Sequence, residues 1–465
     1  MALEVPTVPT HSAAEAAAGS AAAQPWPKVS TAWYAVSVFA LALMFARLDG
    51  SIIGLLVQPI KRDFHLNDSQ IGLLQGLAVV IFNAFIAVPV SRYVDIWPRN
   101  ILMTIGITVG SLMTMLSGFA QNFWQLFVCR MGLGLGGLVN GPATYSMMAD
   151  YFPREKLPRA IAVLQIGWIS GGGIALILGG AVIQIVSQFG DTPIPGIGVL
   201  RNWQLVFLAV GIPGFIVALL MRSVPEPARR GRVMRTMSKP VPLKTVLKYL
   251  YEHRLVYAPQ FFALAFSAVE SLGTAAWQPT FFIRTYGWTA SQAGYFLGIG
   301  QLIAGPIGLV IGTWLTEYFV KKGDNAANLR VVAIGYSLAP IFAILTPLMP
   351  DPWLAVVLAS IAGGIGVGGA VPQNAALQSV TPNEMRGQVT ALYLFVFGVI
   401  GSGLGPNFIA LFTDYVIGDE NLIRYAIAGS AAIMTPLAAW IMWQGVGPYG
   451  KAIAELKERE RQGLI

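Results

Sequence analysis

Four ionisable side chains lie where water should be scarce: Arg47, Asp49, Arg130 and Glu270 all fall deep inside long apolar runs. Each costs at least about 2.5 to 3.5 kcal/mol at the centre of a membrane span unless it is paired or faces water. Their formal charges sum to zero. A carboxyl reached alternately from two compartments can load a proton on one side and release it on the other. A guanidinium in a low-dielectric cavity can hold a carboxylate, sulfonate or phosphate through paired hydrogen bonds. Asp49 and Glu270 are therefore candidate proton-coupling residues, and Arg47 and Arg130 candidate anion clamps.

Spacing sharpens these roles. Asp49 precedes the far end of its run by about nine residues and Arg130 follows the start of its own by about six, so their depths differ by about 5 Å. An Asp49–Arg130 ion pair is expected, either as part of the coupling machinery or only as a lock within one bundle, since buried pairs often break even energetically. Arg47 is two positions from Asp49, about 200° around a helix, so the two point in different directions. Glu270 is open to three readings: a second proton site, a partner for Arg47, or a lone acid with a packing role.

The elements that must position these residues are membrane helices. Of 465 residues 55% are apolar and only 11% charged, against about 25% charged in soluble domains. Twelve spans need roughly 240 apolar positions, which the chain supplies. Apolar runs at about 31–58, 69–92, 101–120, 124–150, 159–187, 203–222, 255–283, 290–316, 330–349, 353–379, 387–413 and 422–444 are each of helix length. The expected fold is an all-α polytopic membrane protein with twelve transmembrane helices in two pseudo-symmetric six-helix bundles. Residues 1–30 read as a disordered tail, 31–222 as the first bundle, 223–254 as a basic linker, 255–444 as the second bundle and 445–465 as a solvated C-terminal tail.

With both termini inside, 23 of the 30 Lys and Arg fall on the cytoplasmic side. That bias sets a topology with cytoplasmic termini and accounts for the net charge of +8 without nucleic acid. The single cysteine, Cys129, cannot form an internal disulfide. His11, His65 and His253 are too scattered for a metal site or catalytic triad, and no phosphate-binding loop appears. No enzyme activity, cofactor or metal is expected.

The two halves repeat one plan. Gly132, Gly134, Gly136 and Gly137, then Pro142, Pro153 and Arg159, are echoed by Gly363, Gly364, Gly366, Gly368 and Gly369, then Pro372, Pro382 and Arg386. Ser91 to Asp95 parallels Thr313 to Glu317. Repeated halves with a site at their interface are typical of secondary transporters.

On these residues the chain resembles the major facilitator superfamily. Ser91 to Asn100 is similar to its gating motif, with Asp95 and Arg99 at the acid and later arginine positions and with departures at Ser91, Ile96, Pro98 and Asn100. Arg130 to Gly136 is similar to its fourth-helix motif. Leu48 to Phe64, Asn67 to Leu74, Trp277 to Phe281 and Thr390 to Phe395 resemble the Spinster-like branch. The branch's first-helix Asp-Arg pair is here Asp49-Gly50, and Gly137 stands where it commonly has glutamate, so two parts of its coupling scheme are absent. The resemblance implies that Asp95 closes an inner gate against the eleventh span; Arg99, Glu317 and Arg386 are assigned to the same gate, and Asp150 either serves it or caps its loop.

Helices that usually line the channel carry Asn140, Tyr145, Gln165 and Trp168 in the first half. In the second half they carry Trp277, Gln278, Phe281, Gln373, Asn374, Tyr393 and Phe397. Aromatic and polar side chains beside arginines suit an amphiphilic organic anion better than a sugar. The expectation is a monomeric, proton-coupled carrier importing an aromatic or amphiphilic organic anion across a bacterial inner membrane. Export or flipping of a lysolipid-like anion is the alternative within transport, and a non-transporting membrane sensor the alternative outside it.

Overall fold

A computed structural model describes residues 25–81, 97–153, 155–194, 198–229 and 241–462, including all their side chains except those of 135–140 and 142. The described chain is almost wholly helical. In order it runs α1 (Val29–Leu55), α2 (Val57–Phe64), α3 (Asp68–Gln75), α4 (Arg99–Ser117), α5 (Phe123–Tyr151) and α6 (Leu157–Val186). A short antiparallel hairpin follows, β1 (Thr192–Ile194) with β2 (Gly198–Leu200), and then α7 (Asn202–Ser223). The second half holds α8 (Leu243–Glu252), α9 (Arg254–Tyr286), α10 (Ala290–Lys321), α11 (Ala327–Leu348), α12 (Pro352–Val380), α13 (Arg386–Phe395), α14 (Gly403–Leu411) and α15 (Ile423–Arg461).

Among the described residues, ten helices are long and apolar enough to cross a membrane. Two more of the expected spans correspond to α5, whose 29 residues extend about 43 Å, and to the apolar helix Asp68–Ile81, which leads into residues outside the description. One span is irregular: between α13 and α14, and again after α14, Val396–Ser402 and Phe412–Ile417 wind as π-helix. The last span and the expected solvated tail form one continuous helix, α15.

Helix starts at one end of the molecule are cut by side-chain caps. Asn67 and Thr289 each form a reciprocal capping box with Gln70 and Gln292, and Asn122 and Asp351 accept from Gln125 N and Leu354 N. Such caps satisfy amides the helix itself leaves unpaired. α9 stops at Gly287, whose φ of +68° is a left-handed turn that glycine adopts without strain.

The packing repeats between halves. α4 packs on α5 and α7 as α11 packs on α12 and α15, and α1 packs on α6 as α9 packs on the α13–α14 span. The halves meet through α6 with α10, α3 with α14 and α1 with α9. A Cβ on Gly173 would stand 2.6 Å from the Gly298 carbonyl oxygen, so α6 and α10 touch backbone to backbone. Tyr34 near the start of α1 bonds Ser223 at the end of α7, whereas Gly54 at the other end of α1 meets Ala276 and Pro279 of α9. The contacts between halves thus gather at the end remote from both chain termini, here called the far end.

Candidate functional site

Asp49 is buried in the first half, and its Oδ1 accepts a 2.9 Å hydrogen bond from Thr114 Oγ1 of α4. Arg130 of α5 reaches the same place, but its Nη1 donates to the Asp49 main-chain oxygen at 3.2 Å rather than to the carboxyl. The expected Asp49–Arg130 ion pair is therefore not closed. The carboxyl is engaged by Thr114, and glycines keep the helices from filling the space between. Gly50, Gly106, Gly110 and Gly134 line a cavity of about 220 Å³ with Asp49, Gln75 and Arg130. The Arg130 guanidinium lies 4.8 Å from the Phe207 ring centroid, and its Nε and Nη2 are buried without partners among the described residues. A buried cation with two open donors beside an acid is equipped to receive an oxyanion.

Arg47 points elsewhere, as the helical angle requires. Its guanidinium stacks 3.8 Å from the Trp168 ring centroid, with Nε buried and without a partner among the described residues. Trp168 lies one turn along α6 from Gln165, which accepts a 3.1 Å hydrogen bond from Tyr145. These residues form one polar and aromatic surface on the first half. Arg47 does not meet Glu270: the Glu270 carboxyl is buried on α9 and accepts from Thr274 of its own helix at 3.0 Å. That pairing is corrected, because α9 holds its acid one turn from a hydroxyl that satisfies it locally.

In the second half the expected lining residues separate. Trp277 is fully buried and its indole donates to the Pro406 carbonyl at 2.9 Å, while Phe281 is buried in a cluster with Phe282 and Tyr286. Both serve helix packing here rather than an open site. Gln373 accepts from the Tyr336 hydroxyl at 3.2 Å and keeps a buried, unpartnered Nε2; Tyr393 is buried with its hydroxyl free and its ring edge on Phe261. Tyr336 was not among the expected residues. Asn374 is exposed and donates to Ala370 O of its own helix; Gln278 is half-buried, and Phe397 stands exposed on the π-helical stretch. The Asn140 side chain lies outside the described residues.

Of the expected inner gate, Asp95 lies outside the described residues. Arg99 is buried in a dense cluster at the end that bears the termini: it contacts Asp150 at 2.7 Å, Glu226 at 2.7 Å and Ser146 at 2.7 Å. Glu226 also accepts from the Asn100 amide at 3.0 Å. One arginine between two carboxylates binds α4, α5 and the segment after α7 together. Glu226 escaped notice because it sits in a stretch that reads as linker. Glu317 is exposed, and Arg386 donates to the Thr381 carbonyl at 3.3 Å with Nε left unpartnered.

Among the described residues, the densest polar contact between halves lies outside every site expected from the sequence. At the far end Arg284 of α9 holds Asp68 of α3 through two hydrogen bonds, 2.6 and 2.8 Å long. Lys61 bonds the same carboxyl at 2.7 Å and pairs with Glu420. Beside them the Ser69 amide and hydroxyl both donate to Asp414, at 2.7 and 2.6 Å. Burial alone would raise the Asp68 carboxyl, but Arg284 and then Lys61 outweigh it and hold it below its ordinary value. The only signal in the sequence was that Lys61 and Arg284 are two of the few basic residues on that side.

Repeated helical halves, charged side chains sheltered between spans and a charged latch between the halves at one end are the features of a membrane transporter. The major facilitator superfamily model matches residues 39–406, and the chain belongs to that family. It is 25% identical over 435 residues to an MFS-type efflux pump of Mycolicibacterium smegmatis, covering 91% of this chain and 95% of that one. It is 26% identical over 410 residues to a gentisate transporter of Corynebacterium glutamicum, covering 86% and 85%. A crystal structure of a bacterial homolog of the lysosomal transporter Spinster, inward-facing and unoccupied, superposes with a TM-score of 0.73 at 22% identity over 92% of this chain and 98% of that one. The transporter fold expected from the sequence stands, the likeness to the Spinster homolog is one of fold, and the chain belongs to a family of transporters rather than of enzymes.

Proposed function

We propose that this carrier imports an aromatic or amphiphilic organic anion together with protons, by alternating access between two six-helix bundles. The observation that carries the reading is Arg47 stacked on Trp168 with a buried donor still unused. A cation against an aromatic face offers a carboxylate its charge and an aromatic ring its stacking surface. Arg130, with two free donors beside Asp49, supplies a second anion contact next to the acid assigned to proton transfer. Gentisate, the substrate named for one relative, is an aromatic carboxylate of this chemistry.

In this reading both termini are cytoplasmic, as the basic bias supports, and the protein works as a monomer in a bacterial inner membrane. The far end is then external. With the halves joined there through Asp68 and Arg284, the described contacts correspond to an inward-facing state.

Purified protein in liposomes, given an inward proton gradient and radiolabelled gentisate or other hydroxybenzoates, tests the proposal. Gradient-dependent accumulation and counterflow without a gradient are expected. The likeness to an MFS-type efflux pump favours outward movement, and with the Spinster resemblance it gives a second reading, export or flipping of a lysolipid-like anion. Movement of a labelled lysolipid between leaflets, with no uptake of aromatic acids, would select it.

A further inference from the structure

α8 is the described helix of the stretch joining the two halves, and it presents three distinct faces. At about 100° per residue, Val246, Tyr249 and Leu250 share one sector. Val246 is fully buried, and the other two pack on the second half's core. The next sector holds Leu243, Leu247 and Tyr251 within about 80° of one another, and these are 54%, 49% and 69% exposed. The third sector holds Lys244, Lys248 and Glu252, all exposed, with Lys248 3.7 Å from Glu252.

A helix seated on a soluble core needs only the first and third faces. The apolar middle face requires a partner. Leu255, 70% exposed, and Phe262, 60% exposed, begin the outward stripe of α9 immediately beyond His253. The uncovered face of α8 therefore lies beside the lipid-facing side of a membrane span. Lys244, Lys248 and the exposed Arg254, against Glu252 alone, give its rim a net positive charge. Exposed leucines and an aromatic on one side with lysines beside them form the pattern of a helix lying in the membrane interface, and basic residues there attract anionic headgroups.

We propose that α8 is an interfacial anchor. Leu243, Leu247 and Tyr251 dip into the acyl boundary of the leaflet on the terminus-bearing side, and Lys244 and Lys248 bind anionic lipid headgroups. This rests on the chain's crossing a membrane, which its family establishes, and not on the substrate proposed above.

The test uses the full chain carrying Cys129→Ala, with Leu247→Cys or, separately, Tyr251→Cys labelled with a polarity-sensitive fluorophore, reconstituted in phosphatidylcholine with or without phosphatidylglycerol. Thr245→Cys serves as the water-facing control. Labels at 247 and 251 should emit to the blue of the label at 245, resist aqueous iodide, and be quenched more by bromines near the headgroup than at the bilayer centre. Lys244→Gln/Lys248→Gln should cut the preference for phosphatidylglycerol by roughly fivefold per charge. Labels at 247 and 251 as open to iodide as the one at 245 would overturn the anchor. A lipid preference unchanged by the double substitution would overturn the headgroup contact.

Discussion

Arg284 of α9 and Asp68 of α3 face each other across the boundary between halves, joined by two parallel hydrogen bonds around a carboxyl with no exposed surface. Removing one partner of a buried pair costs about 3 to 5 kcal/mol, comparable to the whole gap between the states of a two-state carrier. Asp68→Asn should therefore shift the protein away from the far-end-closed state. Spin labels at Arg62→Cys and Tyr415→Cys, both exposed near that end, report the change. The expected result is a new, longer distance population, and an unaltered distribution would remove the latch from the mechanism.

Acidity should leave this latch alone. Because Asp68 is held below its ordinary value in the closed state, its contribution is complete above the usual aspartate range near 4 and fades only as pH falls through the lower, closed-state value. Between about pH 5 and 8 the spin-label distances should show no dependence arising from Asp68. A conformational shift in that window that survives in Asp68→Asn comes from groups other than Asp68.

The fold was legible because apolar run length and glycine spacing are local properties that translate directly into spans. The central charges were legible for a related reason: Arg47, Asp49, Arg130 and Glu270 break runs that otherwise exclude charge. Partnership was not. Whether Asp49 meets the guanidinium of Arg130 or the hydroxyl of Thr114 depends on helix rotations of a few tens of degrees, which no periodicity records. Asp68, Arg284 and Glu420 lie at helix ends, where charge is ordinary, so nothing in the sequence marks them until the halves are brought together. Glu226 was hidden in the same way.

Asp49→Asn separates coupling from transport. An amide keeps the size of the side chain and can still accept from Thr114, but it cannot carry a proton. Gradient-driven accumulation in liposomes should fall at least about tenfold, corresponding to a loss of some 1.4 kcal/mol of coupling, while substrate counterflow continues. Wild-type accumulation in this variant would reassign the proton to Glu270, and the matching Glu270→Gln variant would then show the loss.

Arg47 and Trp168 should be tested as a unit. A cation over an aromatic ring contributes about 0.5 to 2 kcal/mol, so Trp168→Ala should raise KM for an aromatic acid severalfold with a smaller change in maximal rate. Lysine cannot reproduce a planar, stacked guanidinium, and Arg47→Lys should weaken uptake nearly as much as Arg47→Gln. Initial-rate uptake over a range of concentrations distinguishes this from a purely structural role, which would lower the amount of folded carrier without moving KM.

The glycines of α10 and α12 allow a test of packing with its own control. A Cβ on Gly308 would stand 1.9 Å from the Gly364 carbonyl oxygen, and one on Gly312 would stand 2.1 Å from that of Gly368. Gly308→Ala must therefore push two backbones apart, at a cost of about 1 to 3 kcal/mol. Gly366, on the same α12, has nothing within 4 Å of its missing Cβ. There alanine brings only its better helix propensity, about 0.5 to 1 kcal/mol. Thermal unfolding in detergent should place Gly308→Ala below the wild type and Gly366→Ala at or above it. If both fell equally, the close approach of α10 to α12 would not be what the glycines of this span secure.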